Sequence, residues 1–208
     1  MNIPTQNNTL YEERRQTIHR HHYRNHSYPL RRHRTPELDP DHYLYRMEQT
    51  CIRPIQPADN TAIASIIRNT LDEFGVGKRP GTAYYDTATD DMYTSFQSAG
   101  SRYHIALLND RIAGGCGIFP SPGLPDRVCE LVKMYLAAEA RSKGLGRQLI
   151  EESLTFARQF GYRQVYIESM PELQKAMSVY EKFGFRYLQS PMGNTGHYSC
   201  TVWMLKEL

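Results

Sequence analysis

The run Arg141-Ser142-Lys143-Gly144-Leu145-Gly146-Arg147 restricts the possible folds of this chain more than any other segment. Before it, Val128 to Leu136 reads as a strand. After it, Leu145/Leu149, Ile150/Leu154 and Phe156/Phe160 recur at the i,i+4 spacing that buries one helical face, and Gly161 stands as the C-cap. The two glycines let backbone pass close to a ligand, and the first turn of the helix leaves amide N–H groups without internal partners. Arg141, Lys143 and Arg147 add positive charge at the same place, which suits a pyrophosphate. Helix-end electrostatics supply only about 0.3–2 kcal/mol, so direct hydrogen bonds must carry much of such binding. A P-loop needs Lys-Ser/Thr after its last glycine, and Arg147-Gln148 stands there instead. A dinucleotide fingerprint needs a small residue where Leu149 stands.

The surrounding pattern gives a mixed α/β order. Cys51 to Arg53 reads as a short strand closed by Pro54. Ile63, Ile66, Ile67 and Leu71 form the stripe of a helix from Asp59 to Glu73, which Gly75 stops. A second helix is expected near Thr89 to Gln97. Tyr103 to Leu108 and Arg111 to Phe119 read as strands joined by a tight Asn109-Asp110 turn. Gly114, Gly115 and Gly117 in the second of these mark a bulge or a close backbone approach. Gln164 to Glu168 is a strand, Pro171 opens a helix to about Phe183, and two strands around Tyr187 and Val202 close the chain.

Residues 1–49 read differently. Six of the eight histidines lie there, and seven arginines fall between Tyr11 and Thr35. The few aliphatic residues follow no period, so this stretch cannot bury enough apolar surface to offset its ordering entropy. It is expected to be a flexible Arg/His-rich extension, with a short helix around Leu10 to Arg20, preceding a domain over 50–208. Its histidines show no fixed ligand spacing, so no metal is expected. Beyond residue 50 there are 17 basic and 16 acidic residues, a balance that does not point the domain at nucleic acid. No apolar run reaches membrane-span length, and Met1 to Asn8 holds no apolar segment of the kind a secretory signal needs. The four scattered cysteines fit a reducing compartment, so a cytoplasmic location is expected. Cys116 and Cys129 fall on interior strands and read as buried thiols.

Leu131-Val132-Lys133-Met134-Tyr135-Leu136, followed by Ala140-Arg141-Ser142-Lys143-Gly144-Leu145-Gly146, resembles the acyl-CoA signature of the GCN5-related N-acetyltransferase (GNAT) superfamily. Ala176-Met177-Ser178-Val179-Tyr180-Glu181-Lys182-Phe183-Gly184-Phe185 resembles its second signature. The resemblance covers about Thr50 to Leu208. It implies an α/β fold with a mixed, mostly antiparallel sheet of about seven strands, split between the fourth and fifth, and about four helices. It also implies an acetyl-CoA donor, with main-chain groups of Met134, Tyr135 and Leu136 pairing to pantetheine. Backbone amides from Ser142 through Lys143, Gly144, Leu145 and Gly146 to Arg147 would hold the pyrophosphate beside Arg141. Many members carry Asn seven residues before the equivalent of Tyr180, and Leu173 stands there here.

Tyr180 falls on the tyrosine that members use to protonate the departing thiolate. A phenol with pKa near 10 can donate to a thiolate whose parent thiol has pKa about 8.5. An acceptor amine of pKa about 10.4 is neutral in only about one molecule in 2,500 at pH 7, which costs roughly 4.6 kcal/mol. Glu130 is the first candidate for the base that removes its proton, Glu168 the second, and His197 or a water the others. His197, Glu168, Tyr84 and Tyr85 are candidates for acceptor contact, and the acids near Tyr85 either hold a cationic amine or cap helix starts. The expected activity is direct acetyl transfer to a primary amine, a small molecule rather than a protein, without metal. A homodimer is compatible with this reading. The alternative is a non-catalytic acyl-CoA-binding regulatory module whose basic extension touches a polyanion.

Overall fold

A computed structural model describes residues 48–208. The expected extension over 1–49, including its helix near Leu10 to Arg20, lies outside the described residues except for Glu48 and Gln49. Among these described residues seven strands form one sheet: β1 (Thr50–Pro54), β2 (Arg102–Leu108), β3 (Arg111–Phe119), β4 (Val128–Leu136), β5 (Gln164–Ser169), β6 (Arg186–Tyr187) and β7 (Val202–Glu207). Their order is β1-β2-β3-β4-β5-β7-β6. Every neighbouring pair is antiparallel except β4 and β5.

Helices α3 (Leu145–Phe160) and α4 (Gln174–Lys182) cover one face, while α1 (Asn60–Glu73) and the single turn α2 (Met92–Ser95) cover the other. The α3 stripe that the sequence shows is the packed one: Leu145, Leu149 and Ile150 are fully buried, each worth about 1.5–3 kcal/mol. Gly161 takes the left-handed conformation (φ 101°) that ends the helix. The turn at Asn109 and Asp110 has both residues at positive φ, 50° and 62°, which matches the twist of a two-residue hairpin. The second helix is shorter than expected. A 3-10 turn at Thr87–Thr89 precedes α2, because Asp86 and Asp91 each cap a separate helix start. Likewise Pro171–Leu173 forms a 3-10 turn, and α4 proper begins at Gln174.

Two features of β4 position the site. Gly115 pairs with Tyr135 and Gly117 with Val132, so two steps on β3 face three on β4. The extra residue gives a bulge at which Lys133 has φ 49°. The Tyr103 hydroxyl donates to the Lys133 carbonyl at 2.8 Å, and its ring lies where a Cβ on Gly115 or Gly117 would stand, 2.3 and 2.7 Å away. The glycines of β3 are therefore the room that Tyr103 needs. Second, β4 pairs with β5 only from Val128 to Glu130, opposite Gln164 to Tyr166. Beyond Glu130 the strands part, and the sheet is split there.

Candidate active site

The split opens into a cavity of about 550 Å³ lined by β4 on one side, β5 on the other, and the facing ends of α3 and α4. Met134, Tyr135 and Leu136 present the free edge of β4 to it. At its mouth, α3 begins with Gly144 in the left-handed conformation (φ 81°), and no side chain caps the helix. Arg141 donates its amide to Ala138, and the next amide to donate to protein backbone is Gln148, to Gly144. Among the described residues, the six amides from Ser142 to Arg147 therefore donate no backbone hydrogen bond, and Ser142 itself is held at φ 63°. A Cβ on Gly144 would meet only the Gln148 side-chain nitrogen Nε2, at 3.9 Å. This concave, amide-lined start of a helix is shaped for a phosphorylated group.

The charged side chains around it are less free than the sequence implies. Arg141 forms a two-pronged ion pair with Glu73 (2.6 and 2.7 Å) and donates to the Leu136 carbonyl at 3.0 Å, bracing the end of β4 against α1. Lys143 pairs with Glu48, and Arg147 with Glu151 at 2.7 Å. The amides are the better part of the cradle.

At the inner end, three ionisable groups meet: atoms of Glu130, Glu168 and His197 lie within 4.8 Å of one another. Glu130 is 2% exposed. Its Oε2 accepts from the Ser121 hydroxyl, while its Oε1 faces His197 Nδ1 at 3.8 Å. Glu168 accepts from Tyr166 (2.8 Å) and from Thr195 (2.7 Å), and lies 4.0 Å from the same His197 nitrogen. Burial pushes the Glu168 carboxyl above the usual range. The Thr195 and Tyr166 hydroxyls oppose that rise, and the negative Glu130 adds to it. Tyr180 lines the same cavity from α4, and burial raises its phenol well above the ordinary value, so it is fully protonated. Leu173, where the resemblance expects Asn, lines the cavity as an apolar wall.

The structure thus brings Glu130, Glu168, His197 and Tyr180 to one cavity. Tyr84 and Tyr85 do not reach it. Tyr85 is 57% exposed with its ring 5.2 Å from that of Tyr84, which packs beside Arg68. The acids around them are spent on structure: Asp90 pairs with Arg68 at 2.7 Å, Asp91 caps α2, and Asp86 pairs with Lys133. Burial pushes the Asp86 carboxyl up, but the Lys133 ammonium, the Ala88 amide and His197 together hold it below its ordinary value. Cys116 and Cys129 are buried as expected, with thiols pushed up to about 12 by burial, and Cys200 lines the cavity with its thiol similarly raised. Ser121, Thr195 and Lys133 escaped sequence reasoning because each acts through a contact distant along the chain, and Tyr166 because its bond to Glu168 two residues on forms no motif.

A sequence profile described as the Acetyltransferase (GNAT) family matches residues 65–185. The chain belongs to this family. The uncharacterized N-acetyltransferase YjgM of Escherichia coli is 34% identical over 157 residues, which are 76% of this chain and 94% of YjgM. Human N-acetyltransferase 8 is 28% identical over 135 residues, 62% of this chain and 56% of its own length. Among solved structures, PaiA N-acetyltransferase from Thermoplasma acidophilum in complex with coenzyme A aligns with a TM-score of 0.60 at 17% identity, covering 77% of this chain and 99% of PaiA. YncA from Salmonella typhimurium, solved with acetyl-CoA, aligns at 0.62 and 18%, covering 77% and 94%. At such identity these two show the GNAT fold, and the family and its N-acetyltransferase relatives make this GNAT protein an acyltransferase. Among the described residues no helix is long and apolar enough to cross a membrane.

Proposed function

We propose that this GNAT protein transfers the acetyl group of acetyl-CoA directly to the primary amine of a small molecule. The observation that carries the reading is that Glu130 and Tyr180 both line one cavity whose mouth is the amide-lined start of α3. When bound, the thioester supplies the activated acyl carbon. The chain's own residues do the rest. Amides from Ser142 to Arg147 hold the pyrophosphate, and the free edge of β4 at Met134, Tyr135 and Leu136 aligns the pantetheine. Backbone N–H of the parted strand polarises the carbonyl oxygen.

Glu130 accepts the proton that the attacking amine must lose, directly or through water. It is fixed by Ser121 and lies beside His197, whose partly exposed ring offers the proton a way out. Glu168 adds a second buried acid that favours a cationic acceptor on entry. Tyr180, kept protonated by burial, donates to the departing thiolate. No protein nucleophile is needed, since the amine attacks the acyl carbon itself. A small amine is favoured because Thr82, Ala83, His197 and Cys200 line the cavity along with Glu130.

The test is release of free thiol from acetyl-CoA against separate pools of polyamines, amino acids, aminoglycosides and lysine peptides. Release with one small-amine pool supports the reading. Release only with peptides overturns the choice of acceptor, and release with none despite donor binding turns the reading toward a non-catalytic acyl-CoA module.

A further inference from the structure

Glu130 and Glu168 are buried acids without a basic partner. Their side chains are 2% and 5% exposed, and among the described residues neither has a Lys or Arg within ion-pair reach. A buried carboxylate is ordinarily paired with a cation or bound to a metal. Lys133 lines the same cavity, but its ammonium is taken by Asp86. What both carboxylates face is His197, whose Nδ1 lies 3.8 Å from Glu130 Oε1 and 4.0 Å from Glu168 Oε2. The Ser121 hydroxyl holds Glu130 by Oε2. That leaves Oε1 aimed at the imidazole, without a hydrogen bond among the described residues. Tyr166 and Thr195 hold the two oxygens of Glu168, and the Thr195 hydroxyl also accepts from the His197 amide at 3.3 Å. Hydrogen bonds of this kind orient the ligands of a metal.

Two carboxylate oxygens and one imidazole nitrogen within 4.8 Å of one another are a donor set suited to zinc. Magnesium and calcium prefer oxygen ligands throughout. Tetrahedral zinc at about 2.0–2.2 Å from each atom would hold them about 3.4 Å apart, so the two gaps to the nitrogen need close by only roughly half an ångström. All three residues line the cavity, which leaves the fourth position open to it. We propose that Glu130, Glu168 and His197 together bind one zinc ion. The ion neutralises two buried charges that nothing else offsets. Resting on the reading of Glu130 as base, zinc also takes the lone pair that would accept the amine's proton. The metal-bound protein is then a reversibly inhibited form, in which zinc and the acceptor amine compete for one place.

Zinc binding to the full chain, measured without donor or amine by competition against a chromogenic zinc chelator, tests the site independently of catalysis. Residues 1–49 carry six histidines, present in wild type and variants alike, so the difference between them reports the cluster. The expected result is that Glu168→Gln and His197→Asn each weaken the binding of one zinc equivalent per chain at least about tenfold. Both variants should bind CoA within about twofold of wild type, which shows that they are folded. Asp110→Asn, at the β2–β3 turn, keeps wild-type zinc binding, and magnesium in hundredfold excess leaves the zinc in place. Zinc binding that is the same in wild type and both variants overturns the site, and displacement by magnesium overturns the choice of ion. Thiol release in the absence of zinc tests the acetyl-transfer reading separately. Release that proceeds unslowed while the zinc site is filled overturns the inhibited form.

Discussion

The Tyr103 hydroxyl holds the Lys133 carbonyl at 2.8 Å, so a residue of the second strand fixes the bulge that turns the fourth strand away from the fifth. Removing only the hydroxyl, in Tyr103→Phe, leaves a half-buried carbonyl without its donor. The expected loss is about 1–3 kcal/mol of stability, read from denaturant unfolding. Because the same contact shapes the β4 edge, acetyl-CoA affinity should fall in parallel, and a variant with reduced stability but unaltered affinity would show the bulge to be held by other contacts.

Tyr180→Phe keeps the ring and its packing against Phe185 but removes the proton donor. CoA affinity should stay within about twofold, while turnover falls about 10²–10⁴-fold. Calorimetry and single-turnover thiol release separate the two quantities. Unchanged turnover takes Tyr180 out of the mechanism.

Glu130→Gln preserves the size of the side chain and its contact with Ser121. Turnover at neutral pH should drop about 10²–10⁴-fold. The neutral fraction of an amine rises tenfold per pH unit below its own pKa, so the deficit should narrow steadily as the assay is made more alkaline. A deficit of constant size across pH 7 to 10 would argue that Glu130 orients the acceptor and does not take its proton.

Gly144→Val forces a β-branched residue to φ 81° and puts methyl groups into the empty concavity before α3. Acetyl-CoA affinity should fall more than about tenfold. A folded variant, judged by circular dichroism, that binds the donor normally would move the phosphate site elsewhere.

His104 is buried on β2 with Nδ1 unpartnered, and burial, reinforced by Arg102, lowers its pKa to about 4. The unfolded chain takes up this proton near pH 6.5 and the folded chain does not, so folding stability declines as pH falls from about 6.5 to about 4. The decline attributable to this group is about 3 kcal/mol. His104→Leu should flatten the stability–pH curve over that window by a comparable amount, as followed by chemical unfolding at successive pH values.

The strand, the glycine pair and the helix of the donor cradle are legible in the chain because they rest on local chemistry: the α3 stripe and two glycines within three residues define them. The same locality explains Gly161 and the Asn109-Asp110 turn. Arg141 shows the limit, since its charge suggests a phosphate contact while its partner Glu73 is 68 residues away on α1. The meeting of Glu130, Glu168 and His197 depends on a three-residue parallel pairing and on the loop before β7, neither of which leaves a spacing to read. Ser121 and Thr195 are visible only once that meeting is known. Near residue 85 the sequence leaves the acids open between holding a cationic amine and capping helix starts, and Asp86 and Asp91 cap helix starts while Asp90 pairs with Arg68 and Asp86 with Lys133.

The pairing of β4 with β5 has only three residues on each strand, from Val128 and Gln164 onward, yet among the described residues it is the sole rung-bearing connection between the two halves of the sheet. A pantetheine arm laid along Met134 to Leu136 would extend that seam with rungs of its own. On the proposed placement the donor acts as a molecular zipper for an unfinished sheet. Deuterium uptake by the amides of the β4 edge would slow when the donor binds, with β1 and β2 keeping the same exchange as before.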